Sequence, residues 1–192
     1  MFMFTVTNPM IYFISNQEIL EGVELVRKYK AMAKETSDGT IMVTPEERAK
    51  IVRGVELWNG HCNDRGELVP RLFRMCGFVP TNIPIIGFMM LAPPTMFITA
   101  LSQGINQSYN AGMNFGNKNS SCEYTDFDLL RGYGVALSSS IGVGLFMRKL
   151  LSPLAKGSTG NKALLLNSLV AVSGSASANF FNTLAMRYAE IE

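Results

Sequence analysis

Residues 79–101 read VPTNIPIIGFMMLAPPTMFITAL, and they sit inside a longer interval, from Arg74 to Lys118, that holds no charged side chain. A helix of about 20 residues at about 1.5 Å rise spans a bilayer core of about 30 Å. Each charge avoided near its centre saves roughly 2.5–3.5 kcal/mol of insertion cost. Soluble helices keep charges on an exposed face, so the stretch reads as membrane-embedded. Pro93 and Pro94 interrupt it and deny the helix two amide donors, so it must kink or break there.

Two further stretches repeat the pattern, 132–151 and 164–187. The expected fold is an all-α integral membrane protein of about three transmembrane helices, the first one proline-broken, after an amphipathic helical N-terminal half. The expected division is residues 1–74, a peripheral helical segment, and 75–192, a membrane domain with spans near 79–101, 132–151 and 164–187. Residues 1–74 carry ten of the seventeen Lys/Arg and ten of the fifteen Asp/Glu, as a solvated, electrically balanced segment does.

In that half, Ser15 to Glu18 has the spacing of a capping box, and Ile19, Val23, Val26, Tyr29 and Met32 recur along one helical face. Thr44, Pro45 and Glu47 begin a second helix, with Ile51, Val55 and Trp58 as its apolar stripe and Asn59-Gly60 as its stop. Residues 35–41, containing Ser37-Asp38-Gly39, read as a turn.

A net charge of +2 without a clustered basic surface predicts no nucleic-acid partner. Cys62, Cys76 and Cys122 are odd in number and lack paired spacing, so neither a disulfide framework nor a zinc site is implied. The N-terminus shows neither a basic n-region nor an Arg-rich presequence, so targeting is expected to be internal. With His61 as the one histidine and no carboxylate in the membrane stretches, no catalytic set is found and an enzyme is not expected. His61, Asp64 and Glu67 read as part of a turn after the Trp58 helix; no metal site and no cofactor are expected.

Polar residues in the second half carry the functional argument. Gln103, Asn106, Gln107, Ser108 and Asn110, followed by Asn114, Asn117 and Asn119, are dense in neutral amides. Each amide offers donors and an acceptor, so a cluster can hold a zwitterion without fixed charge; the same groups also bond helix to helix. Broken helices near the midplane form binding sites in transporters. Gly132, Ala136, Ser140 and Gly144 form a row of small residues, Gly134, Ser138 and Gly142 a second beside it, and 173–178 a third, all suited to close helix packing. Arg148, Lys149, Lys156 and Lys162 read as a positive connector between spans two and three, which places that end and the N-terminal half on the cytoplasmic or matrix side. Residues 118–131, holding Glu123, Asp126 and Asp128, fall opposite.

Five segments, in order, resemble the sideroflexins, once called tricarboxylate carriers. Phe4 to Pro9 is similar to their FTVTDP opening, His61 to Glu67 to their HPDTGE segment, and Val79 to Asn82 to VPxN. Ile105 to Ala111 is similar to INQSFNA, and Ala178 to Asn182 with Met186-Arg187 to ANxxNxPLMR. The resemblance implies a multi-pass protein of the mitochondrial inner membrane and transport of serine or similar small neutral amino acids, with proposed links to iron handling and respiratory-chain upkeep. It makes Asn82, Asn106, Gln107, Ser108, Asn110, Asn179 and Asn182 the substrate-path candidates, and Asn8, Pro9, His61, Asp64, Gly66, Glu67, Pro80 and Arg187 the other family-motif positions.

Departures from the family pattern stand beside it. Members are expected to continue with further membrane helices past the position of Arg187, the HPDTGE-like segment has gained a residue and lost its proline, and Leu184 stands where the later motif has proline. The chain is thus read as a shortened member. Its expected partners are membrane lipid, a small neutral amino acid if transport is retained, and other inner-membrane subunits or further copies of itself. The alternative function is a transport-inactive structural subunit of a respiratory or other inner-membrane complex.

Overall fold

A computed structural model describes residues 9–36, 40–118 and 125–187. Six α-helices follow one another among them: α1 (Asn16–Glu35), α2 (Pro45–His61), α3 (Phe78–Leu91), α4 (Met96–Gly116), α5 (Asp126–Ala155) and α6 (Gly160–Arg187). The protein is all-α. The chain divides into two compact units, Met1–Pro80 with Gly116–Ser121, and Thr81–Phe115 with Cys122–Glu192.

In the first unit, Ser15 caps α1 by accepting from the Glu18 amide at 3.3 Å, and Ile19, Val23 and Val26 are buried along the expected face. Tyr29 is half-buried and Met32 exposed. At α2 the full capping box forms: Thr44 Oγ1 accepts from the Glu47 amide at 3.2 Å, and the Glu47 carboxylate accepts from the Thr44 amide at 2.9 Å. The helix ends at His61, one residue past the expected Asn59-Gly60 stop.

The buried face of α2 also differs from the expected one. Gly54, Leu57, Gly60 and His61 face inward, whereas Val55 is exposed and Ile51 and Trp58 are only half-buried. The cause is a close crossing at glycine. A Cβ on Gly54 would lie 2.8 Å from the Gly22 carbonyl oxygen and 2.9 Å from Val26 Cγ2, so the two backbones meet where a hydrophobicity pattern sees nothing. Ile19, Val23, Leu57 and Cys62 form the core beneath the crossing. Trp58 packs against the edge of this core and also lies under Lys30 Nζ, 4.3 Å from its ring centre, and near the Arg27 guanidinium.

In the second unit the stretch 79–101 is two helices. Pro93 and Pro94 cannot donate, so α3 ends at Leu91 and α4 restarts at Met96, where Thr95 Oγ1 accepts from the Ile98 amide at 3.2 Å. Among the described residues, α5 and residues Gly160–Leu184 of α6, 30 and 25 residues long, are the two helices long and apolar enough to cross a membrane; Met75–Leu91 is a shorter apolar helix. Arg148 and Lys149 therefore lie inside α5 and are not connector residues as expected from sequence; Lys156 and Lys162 remain at the α5–α6 junction.

Large apolar side chains point outward in this unit. Phe97, Phe146, Leu165 and Val172 are each more than half exposed, with Val172 at 65%. Small and polar residues turn inward, which suits hydrocarbon outside and helix contact inside.

Candidate substrate path: a buried polar seam

Three faces meet in the second unit. α5 contributes Gly132, Ala136, Ser140, Gly144 and Arg148, one residue every fourth position and all buried. α6 contributes Leu166, Val170, Gly174 and Ala178. Against them α4 turns Thr99, Ser102, Gln103, Asn106, Gln107, Tyr109 and Met113. The second small row does not pack: Gly134, Ser138 and Gly142 are exposed, and a Cβ on either glycine would meet nothing within 4 Å.

Small residues on α5 and α6 make room for the long amides of α4. Gln103 is 1% exposed; its Nε2 donates to the Ala171 carbonyl at 3.3 Å and its Oε1 accepts from Ser140 Oγ at 2.6 Å. Gln107 Nε2 donates to the same Ser140 Oγ at 3.5 Å, and Asn106 Nδ2 donates to Ser175 Oγ at 3.3 Å. Hydrogen bonds thus link α4 to α5 and α6, with α4 donating in three and Ser140 of α5 donating back in one, and with no ionised group in the middle of the seam.

One end of the seam does hold a charge. The Arg148 guanidinium is buried, donating from Nε to Thr99 Oγ1 at 2.9 Å and from Nη1 to Asn167 Oδ1 at 2.8 Å. Asn167 Nδ2 in turn donates to the Met90 carbonyl at 2.8 Å and the Ala92 carbonyl at 3.3 Å. The Met90 carbonyl is the one that Pro94, four residues on, cannot reach as a donor. Asn167 thus satisfies the broken end of α3 and orients its own oxygen toward Arg148.

Of the sequence candidates, Asn106 and Gln107 are in the seam. Ser108 is exposed and shares a 2.9 Å hydrogen bond with the Tyr133 hydroxyl, while Asn110 is half-buried on α4. Asn82 is half-buried on α3, Asn179 is exposed and Asn182 half-buried on α6, so these three are not brought together with Asn106 and Gln107 by any hydrogen bond among the described residues. Gln103, Thr99, Ser140, Asn167 and Arg148 form the seam's connections and were not among the site candidates. Thr99 and Gln103 stand seven and three residues before Asn106, at helical spacing on the same face of α4; nothing local in the sequence marks Arg148 or Asn167.

The other motif positions lie elsewhere. Asn8 is outside the described residues, Pro9 opens a short 3-10 turn, Pro80 lies in the first turn of α3, and Arg187 ends α6. His61, at 0% exposure, ends α2 against Arg74 Nη1 (3.4 Å from Nδ1) and the Cys76 sulfur (3.6 Å). Burial, then the Arg74 charge, pushes its pKa down to about 4. Arg74 also holds the Val69 carbonyl and Asn16 Oδ1, both at 2.9 Å. Asp64 and Glu67 are exposed, and the loop they occupy is built by Asn63, whose Oδ1 accepts from the Arg65 and Glu67 amides, both at 3.0 Å. Gly66 completes the turn at φ 76, where a Cβ would also strike Arg27 and Trp58. His61 to Glu67 is therefore a structural corner, and among the described residues no group of His, Cys, Asp and Glu is placed to hold a metal.

Apolar faces outward, amides inward and a proline-broken helix define an all-helical membrane protein. The sequence model of the sideroflexins matches residues 1–192. Human sideroflexin-5 is 28% identical over 191 residues, covering 97% of this chain and 53% of that protein. Mouse sideroflexin-3 is 27% identical, covering 98% and 54%, and a sideroflexin of Dictyostelium discoideum is 30% identical over 130 residues, covering 65% and 37%. No solved structure matches. The chain belongs to the sideroflexin family, and it spans about half the length of the curated relatives it matches.

Proposed function

We propose that the seam between α4, α5 and α6 is the path by which serine or a similar small neutral amino acid crosses the mitochondrial inner membrane. The observation that carries this reading is the set of three buried amides, Gln103, Asn106 and Gln107, on one face of α4 in a region without a carboxylate. Such groups bind an ammonium and a carboxylate together without imposing a net charge. Lys156 and Lys162 at the α5–α6 junction, with no acid beside them in sequence, favour the matrix for that end.

Counter-flow uptake of labelled serine by the full chain in liposomes tests the reading. Gln107 makes the longest bond in the seam, 3.5 Å, and is the amide most easily redirected to a substrate. Gln107→Leu is expected to lower saturable uptake about tenfold, the effect of one buried hydrogen bond to a charged group. Folded wild-type chain that gives no saturable signal refutes it.

One observation favours a second reading: each seam amide already has a helix–helix partner. In that reading the seam is a structural lock and the protein a transport-inactive accessory subunit of an inner-membrane complex. A native gel with mass spectrometry that finds stoichiometric partners, together with silent liposomes, supports it.

A further inference from the structure

At the broken-helix end of the seam lies a pocket of about 670 Å³, with Pro94 and Met96 on one side and Arg148, Lys149, Ser152 and Lys156 among its other walls. Three of the lining residues are cations and none is acidic. The C-terminal dipole of α5 accounts for exposed lysines near its end, but not for an arginine that is 6% exposed. From Arg148 to the helix end at Ala155 is about 10 Å of axial rise, and back to Asp128, the nearest acid on α5, about 30 Å. No Asp or Glu occurs in the sequence between Asp128 and Glu190, or between Glu67 and Glu123.

A guanidinium presents five N–H donors. Thr99 takes the one on Nε and Asn167 takes one on Nη1, both as neutral acceptors, which leaves three without a protein acceptor among the described residues. Asn167 is itself anchored by Met90 and Ala92, so the fork is held rigidly at the pocket wall. A charge kept at membrane depth is costly and marks a functional group, and a planar fork with free N–H groups matches the paired oxygens of a carboxylate or phosphate.

We propose that this pocket binds an oxyanion: Arg148 grips its oxygens from within, and Lys149 and Lys156 draw it in at the mouth. Two sources carry that chemistry, the carboxylate of an amino acid and the phosphate of an anionic lipid. The first rests on the transport reading and the second does not.

The test measures binding, not transport. The full chain is placed in nanodiscs of phosphatidylcholine alone or mixed equally with phosphatidylglycerol. One arm reads lipids retained in native mass spectrometry; the other reads binding of labelled serine against serine amide, which lacks the carboxylate. Retention of phosphatidylglycerol over phosphatidylcholine, or a preference for serine over its amide, is expected, and the arm that responds names the source. Arg148→Gln is expected to weaken the responding ligand about tenfold or more, as loss of a charge-assisted hydrogen bond does. Because Arg148→Gln also removes interior bonds, Lys149→Gln with Lys156→Gln is the second variant; it changes only the exposed mouth and is expected to weaken binding several-fold.

No preference in either arm for wild-type chain, or a preference that both variants leave intact, overturns the proposal. Saturable uptake by the wild-type chain with no ligand preference in either binding arm sinks the oxyanion site and spares the transport reading. Phosphatidylglycerol retention lost in both variants, with no uptake in liposomes, does the reverse.

Discussion

Gly174→Ala is expected to loosen the second unit by prising apart three helices at once. A Cβ at Gly174 collides with Gln103 Nε2, lies 2.7 Å from Gln103 Cδ and sits 3.0 Å from the Ser140 carbonyl oxygen. The glutamine can swing away only by giving up its bonds to Ala171 and Ser140, worth roughly 0.6 kcal/mol each between membrane helices. The Ser140 oxygen is backbone and yields only if α5 shifts, and overpacking of that kind costs about 1–3 kcal/mol. Alanine returns about 1 kcal/mol through its better helix propensity. The net loss is therefore about 2 kcal/mol, or roughly 4–8 °C in melting temperature for a chain of this size. Gly142→Ala is the matched control, since its Cβ meets nothing within 4 Å; it should be neutral or slightly stabilising. Thermal melts of both variants in one detergent, read by loss of the monodisperse peak, decide the matter. Equal melting points for the two would refute the packing argument.

Gly54→Ala is expected to cost about 1–3 kcal/mol in the first unit, because its Cβ would press on the Gly22 carbonyl oxygen at 2.8 Å. Hydrogen exchange should then speed up in α1 and α2 peptides while α5 and α6 keep their protection; unchanged rates in α1 would contradict the close crossing. The buried His61 makes the same unit acid-sensitive. Its folded pKa, about 4, lies below the ordinary 6.5, so at neutral pH the ring is uncharged in folded and unfolded chains alike and contributes no pH dependence. As pH falls below 6.5 the unfolded chain takes the proton first, and the unit loses roughly 2 kcal/mol by pH 5 and about 3 kcal/mol by pH 4. Exchange rates of α2 amides, corrected for intrinsic pH dependence, should show this loss in wild type and not in His61→Gln; parallel profiles would rule it out.

The helices and their starts were legible because those signals are local. Thr44, Pro45 and Glu47 announce α2 from four adjacent residues, and Pro93-Pro94 breaks its helix in any environment since proline has no amide proton. The inward face of α5 was legible in part: a row of small residues at every fourth position must face something, yet two such rows were present and only the one through Ser140 is buried. Choosing between them requires a neighbour, and the neighbour is the glutamine face of α4.

By itself the sequence determined an all-helical membrane protein with neutral amides in place of charges, because hydrocarbon tolerates few alternatives along so long an apolar stretch. Only the tertiary structure decided that Gly54 and Gly22 are an interface, that Val55 of the Trp58 stripe is left exposed, and that Arg148 is a buried wall of a pocket and not a loop charge. The physical reason is the same in each case. A glycine's value lies in the backbone that approaches it, and a charge's meaning lies in the partners that Thr99, Asn167 and the proline break bring to it from distant parts of the chain.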